Sequence, residues 1–123
     1  MTRILLVEDE ANVRLLYRQE LESEGYEVIC AADGKSAIEM AGKHQPDLVI
    51  MDINLPENMD GIEAMSKIMG ENKDIPVIIN TGYSEYQDNF MSWAAEAYVL
   101  KSADMTPLKN AIEDVLGKRE EAG

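Results

Sequence analysis

Five side chains stand where short apolar runs of this sequence end, and together they could handle a phosphoryl group. Ile4-Leu5-Leu6-Val7 runs into Glu8 and Asp9, Leu48-Val49-Ile50-Met51 into Asp52, Val77-Ile78-Ile79-Asn80 into Thr81, and Tyr98-Val99-Leu100 into Lys101. Three carboxylates converging on one point repel one another strongly unless a cation is present. Hard oxygen donors on a partly open edge suit magnesium, which takes one or two carboxylates, several waters and often a phosphate. The chain has one His and one Cys, so it offers no donor cluster for zinc. Magnesium and Lys101 would offset the charge of a phosphoryl group, and Thr81 could donate a hydrogen bond to one of its oxygens. Asp52 can itself be the nucleophile and form an aspartyl phosphate.

These residues meet only if the runs that precede them lie side by side. Apolar runs without polar alternation suit strands buried on both faces, as in a parallel sheet. Strands are predicted at residues 4–7, 27–31, 48–51, 76–80 and 97–100. Between them, apolar residues recur at helical spacing. Val13, Leu16, Tyr17 and Leu21 precede a stop at Gly25, and Ala37, Ile38 and Ala41 precede one near Gly42, with Pro46 just beyond. Ile62, Met65 and Met69 line a third helix. A fourth, reduced or irregular, is expected over residues 84–96, where Tyr86, Phe90 and Ala94 share a face and Met91, Trp93 and Ala95 make it apolar nearly all round. The fifth has Thr106 as N-cap, Pro107 in its first position and Leu108, Ala111, Ile112, Val115 and Leu116 at near-ideal spacing before Gly117. Strand then helix, five times over, requires a parallel sheet with helices on both faces and right-handed crossovers. Every strand's carboxyl end then falls on one edge, where open α/β folds build their sites.

The bulk composition narrows the function further. At 123 residues and 46% hydrophobic content the chain makes one domain with one core, residues 1–119, followed by a frayed tail at 120–123. Eleven basic and 24 acidic residues give 11 − 24 = −13. That argues against direct nucleic-acid binding, which needs a basic footprint, and against docking on an anionic membrane surface. Cys30 has no partner for an intramolecular disulfide and reads as a buried small hydrophobe in a reducing compartment. No apolar run approaches the ~18 residues that span a bilayer, and the first residues lack signal-peptide anatomy. A cytoplasmic protein is expected. The eight methionines read as core filling, and His44 as a surface loop residue rather than a phosphohistidine.

With these features in order, the chain resembles the receiver domain of two-component response regulators, of the chemotaxis-regulator type, over essentially its whole length. The residues that carry the resemblance are Ile4-Leu5-Leu6-Val7-Glu8-Asp9, Asp47-Leu48-Val49-Ile50-Met51-Asp52, Leu55-Pro56 followed by Met59-Asp60-Gly61, Thr81-Gly82, and Tyr98-Val99-Leu100-Lys101. The resemblance implies a flavodoxin-like three-layer (βα)5 fold with sheet order 2-1-3-4-5. It implies that Asp52 accepts a phosphoryl group from a sensor histidine kinase or a histidine phosphotransfer protein, with magnesium required. Asp9 and Asp52 would bind the metal through side chains, Glu8 would assist through water, and the backbone carbonyl of Asn54 would complete the protein ligands. Thr81 would swing toward the phosphoryl group, Lys101 would pair with it, and Tyr98 would be the aromatic switch. The face made by the fourth helix, fifth strand and fifth helix would act on an output domain or downstream protein, from a monomer or a phosphorylation-dependent dimer. The role implied is signalling, not enzymatic.

The sequence departs from the family pattern at four places. Lys101 precedes Ser102 where a proline after a cis peptide is usual; a cis bond to another residue costs ~3 kcal/mol, which favours trans here. The loop after Asp52 is one residue longer than usual, the segment from Thr81 to Lys101 is a little shorter, and Gly82 replaces the commoner alanine. Three other readings compete. A magnesium-dependent phosphatase with an aspartyl nucleophile needs a second acid two positions on, where this chain has Asn54. A flavin or dinucleotide carrier needs a phosphate-cradling loop after the first strand, where Glu8-Asp9-Glu10 would repel phosphate. A phosphorylation-independent pseudo-receiver would act purely as a binding module. A stand-alone receiver, or a piece of a longer regulator or hybrid kinase, is expected.

Overall fold

The structure, a computed structural model, describes residues 1–53, 55, 61–72, 74–82 and 94–122. Its strands are β1 (Arg3–Val7), β2 (Glu27–Ala31), β3 (Leu48–Met51), β4 (Val77–Thr81) and β5 (Ala97–Leu100). All pair in parallel, in the order β2-β1-β3-β4-β5, the fold class and sheet order expected. The helices among the described residues are α1 (Ala11–Ser23), α2 (Gly34–His44), α3 (Gly61–Glu71) and α4 (Thr106–Ala122). α4 is therefore the helix read as fifth in the sequence. The expected fourth helix lies outside the described residues as far as residue 93, and residues 94–96 lead into β5 without α-helix.

Successive strand residues point to opposite faces, and this alternation sorts the core into two layers. Leu5, Val7, Val49, Met51, Val77 and Ile79 pack with Ala37 and Ala41 of α2 and Ala64, Met65 and Ile68 of α3. Ile4, Leu6, Leu48, Ile50 and Ile78 face Tyr17 and Leu21 of α1 and Leu108, Ile112 and Val115 of α4. Each large side chain so buried contributes roughly 1.5–3 kcal/mol. Because both faces are covered, β3 is apolar at every position and buried throughout. β5, on the sheet edge, is only half-buried, and Leu100 is exposed.

Several details differ from the sequence reading. Leu16 was expected in the core and is half exposed, like Leu15; the buried stripe of α1 runs through Tyr17 and Leu21 at i, i+4, about 100° around the helix from Leu16. α2 passes through Gly42 and stops only at Gln45, which adopts left-handed backbone at φ 46°. Pro46 is the cause, since it disfavours α backbone in the residue before it. α4 likewise passes through Gly117, where good helix formers on both sides outweigh a glycine cost of about 1 kcal/mol. Thr106 lies inside α4 rather than capping it, and its N–H donates to Asp104 Oδ1 at 2.9 Å. His44 ends α2 rather than sitting in a loop, and Cys30 is half-buried, with burial pushing its thiol up. No helix among the described residues is long and apolar enough to cross a membrane.

Gly61 opens α3 against the chain that leaves β3. Its N–H donates to the Ile53 carbonyl at 2.8 Å. A Cβ added there would lie 2.6 Å from Ile53 Cα and closer still to the Asp52 carbonyl oxygen, and backbone atoms have little room to yield. Gly61→Ala is therefore expected to lower stability by about 2 kcal/mol and to shift the Asp52 backbone. Denaturant unfolding measures this, and an unchanged midpoint would contradict it.

Candidate functional site

The sheet's carboxyl edge gathers the residues singled out in the sequence. Asp52 follows the central strand β3, and its N–H donates to the Val7 carbonyl at 3.1 Å, extending the ladder beside β1. Glu8 is held in the same way, by its N–H on the Ala31 carbonyl at 3.1 Å, and Lys101 by its N–H on the Thr81 carbonyl at 2.8 Å. These three side chains are thus fixed at their roots by sheet hydrogen bonds rather than carried on a free loop.

Glu8 and Asp52 are almost wholly buried, at 2% and 4% exposure, while Asp9 is exposed. One carboxylate oxygen from each of the three lies within 4.8 Å of the others. Lys101 reaches across β4, about two strand spacings or ~10 Å, and its Nζ donates to Asp52 Oδ2 at 2.8 Å while also pairing with Glu8 Oε2. The Lys101-Ser102 peptide is trans, since no cis bond occurs among the described residues. The lysine therefore reaches the acidic cluster without a proline after it.

The charges perturb one another. Burial pushes the Glu8 carboxyl above its usual range, Lys101 and the Glu10 N–H draw it back, and Asp52 adds to the rise. Burial alone would push the Lys101 ammonium down, but its bonds to Asp52 and Glu8 outweigh this and carry it above its ordinary value. One lysine thus partly offsets a cluster of three acids. The donor set, all hard oxygens with two of them buried, fits a divalent cation such as magnesium.

Thr81 ends β4 beside this cluster. Its hydroxyl is buried and has no hydrogen-bond partner among the described residues, which typically costs 1–3 kcal/mol. An acceptor arriving at the edge, such as a phosphoryl oxygen, would relieve that cost. Tyr98 is half-buried on β5 and packs against the core layer shared by α2 and α3. Asn54, read as a backbone ligand, lies outside the described residues, as does Met59-Asp60 of the following loop.

Two polar residues were missed in the sequence. Asn80 is buried within β4 and its Nδ2 donates to the Val99 carbonyl at 3.1 Å, a side-chain tie between the strands that carry Thr81 and Lys101. A polar residue in an apolar run was the signal. Arg14 donates through Nη1 to the carbonyls of Glu8 and Asp9; on a helix face otherwise bound for solvent, nothing in the sequence marked it.

Comparison with known proteins bears on this arrangement. The sequence model for the response regulator receiver domain matches residues 4–113. The transcriptional regulatory protein PdtaR of Mycobacterium tuberculosis is 39% identical over 114 residues, covering 90% of this chain and 55% of PdtaR. The chain therefore spans about half the length of that relative. The crystal structure of the response regulator TrrA from Thermotoga maritima in complex with Mg(2+)-BeF is 40% identical, with a TM-score of 0.89 over 93% of this chain and 98% of TrrA. TrrA in complex with the histidine kinase ThkA gives 40% identity and a TM-score of 0.87 over 94% and 99% of the two chains.

Proposed function

Because the chain belongs to the response regulator receiver domain family, we propose that it is a phosphoacceptor signalling domain whose acceptor is Asp52. The observation that carries this reading is the Lys101 ammonium, set on Asp52 Oδ2 at 2.8 Å, with the buried Thr81 hydroxyl, which has no hydrogen-bond partner among the described residues, at the end of the intervening strand β4. The nucleophilic carboxylate, the donor and the cation that an incoming phosphoryl group needs thus stand at the ends of three neighbouring strands, β3, β4 and β5.

The phosphodonor is a phosphohistidine on a histidine kinase or histidine phosphotransfer protein, a reading supported by the complex of TrrA with its kinase. An oxygen of Asp52 attacks phosphorus as the P–N bond breaks, and the bonding pair returns to the imidazole nitrogen. Lys101 then exchanges part of its contact with Asp52 for a phosphoryl oxygen, and the Thr81 hydroxyl donates to another. Glu8, Asp9 and Asp52, with the backbone carbonyl of Asn54, are the residues that would hold magnesium. Bound there, magnesium would supply positive charge to offset that of the carboxylates and of the phosphoryl group.

The product is a modified protein rather than a released molecule, so the role is a switch and not a turnover enzyme. A new charge with fixed partners biases an existing conformational equilibrium. Thr81 and Tyr98 report the change to the face that carries β5 and α4, which acts on an output domain or a separate protein in the cytoplasm. Residues 1–119 constitute the functional unit.

Beryllofluoride, which mimics a carboxyl-bound phosphoryl group, tests this. With magnesium it should raise the melting temperature, and neither should do so as strongly alone; at a hundredfold excess over Kd the gain is about 2.7 kcal/mol. A folded protein that the combination does not stabilise would contradict the proposal and favour the phosphorylation-independent binding module.

A further inference from the structure

Asp9 is the one member of the acidic cluster that is exposed, and no hydrogen bond or ion pair from a described residue holds its carboxylate. Glu8, by contrast, is buried and bonded to Lys101 and to the Glu10 N–H at 3.2 Å. What fixes Asp9 is its backbone. The Nη1 of Arg14, half-buried in the first turns of α1, donates to the Glu8 carbonyl at 2.8 Å and to the Asp9 carbonyl at 3.3 Å. Those two carbonyls belong to the peptides on either side of Asp9. Each peptide is planar, so tying both oxygens to one nitrogen restrains the backbone torsions on each side of the Asp9 Cα and with them the direction of its side chain.

We propose that Arg14 is a positioning residue: it clamps the two peptides flanking Asp9 and so aims the Asp9 carboxylate at the magnesium site. This rests on the magnesium-dependent function proposed above. The clamp competes with a simple charge effect of opposite sign. A guanidinium beside a cation site repels the cation, so if charge alone mattered, removing Arg14 would tighten magnesium binding. If positioning matters, removing it loosens binding, and losing a partner that orients a metal ligand commonly costs 10–100-fold in affinity.

The test is titration of the full chain with magnesium alone, followed by amide NMR in wild type, Arg14→Met and Arg14→Lys. Arg14→Met keeps the apolar stem and removes every donor; its Kd for magnesium should rise about tenfold or more. Arg14→Lys keeps the charge and a donor and should recover part of the loss, which a merely structural role for the arginine stem would not produce. Should Arg14→Met fail to fold, Arg14→Leu, which also carries no donor, is read in the same way. Binding by Arg14→Met as tight as wild type, or tighter, overturns the clamp alone. Absence of magnesium binding by wild type overturns the proposed function and the clamp with it.

Discussion

Asp52→Asn should take up no phosphoryl group from acetyl phosphate and magnesium under conditions that label wild type. The substitution is close to isosteric, and Lys101 keeps its contact with Glu8, so the fold should survive. What is lost is chemistry: a neutral amide oxygen is too weak a nucleophile to open the phosphodonor, and one of the carboxylates proposed to hold magnesium goes with it. Phos-tag electrophoresis reads the result, and labelling of the variant to the wild-type level would contradict it. The same variant should lose stabilisation by beryllofluoride.

Lys101→Met should produce the largest loss of stability, about 3 kcal/mol, equivalent to roughly 10 °C in melting temperature. Removing one partner from a buried ion pair costs about 3–5 kcal/mol because the other charge is stranded. The lower end applies because a quarter of the Lys101 side chain reaches solvent. The loss should depend on pH with a definite sign. The folded Glu8 carboxyl already lies above its ordinary range through burial, with Lys101 restraining the rise; without Lys101 it climbs further. A carboxyl raised by folding contributes stability below its unfolded pKa of about 4.3 and loses it as pH rises through the folded value. The deficit of Lys101→Met should therefore shrink as pH falls from neutral toward that range. Lys101 itself, raised by folding, stabilises fully below its unfolded value of about 10.4 and loses that only at higher pH. Magnesium should restore part of the deficit as a substitute cation. A melting temperature within a degree or two of wild type at neutral pH would show that the cluster is not under the strain described.

The strands were legible because burial on both faces leaves each an unbroken apolar run, and the residue after each run falls on the shared edge whatever the helices do. Asp52, Lys101, Thr81, Glu8 and Asp9 could therefore be gathered before their distances were known. The helices were legible by face and less so by end. Gly42 and Gly117 look like stops in isolation, yet a glycine costs only about 1 kcal/mol inside a helix, and Pro46, acting on Gln45, set the real end of α2. Leu16 was misplaced because apolar spacing tolerates a turn of 100°, whereas packing against β1 and β2 does not. Contacts made by reach were invisible. Arg14 is separated from Glu8 by six residues, and its guanidinium acts on backbone oxygens that carry no sequence signature. The role of Gly61 likewise depends on how closely α3 approaches the chain after β3, a distance set by tertiary packing.

The acceptor role of Asp52 is tested most directly by finding the phosphoryl group itself. Wild-type protein is incubated with acetyl phosphate and magnesium, the acyl phosphate is trapped by borohydride reduction, and the peptides are sequenced by mass spectrometry. The prediction is one modified site, at Asp52, formed only when magnesium is present. Modification at another residue, equal labelling in excess chelator, or no modification of folded protein would contradict it.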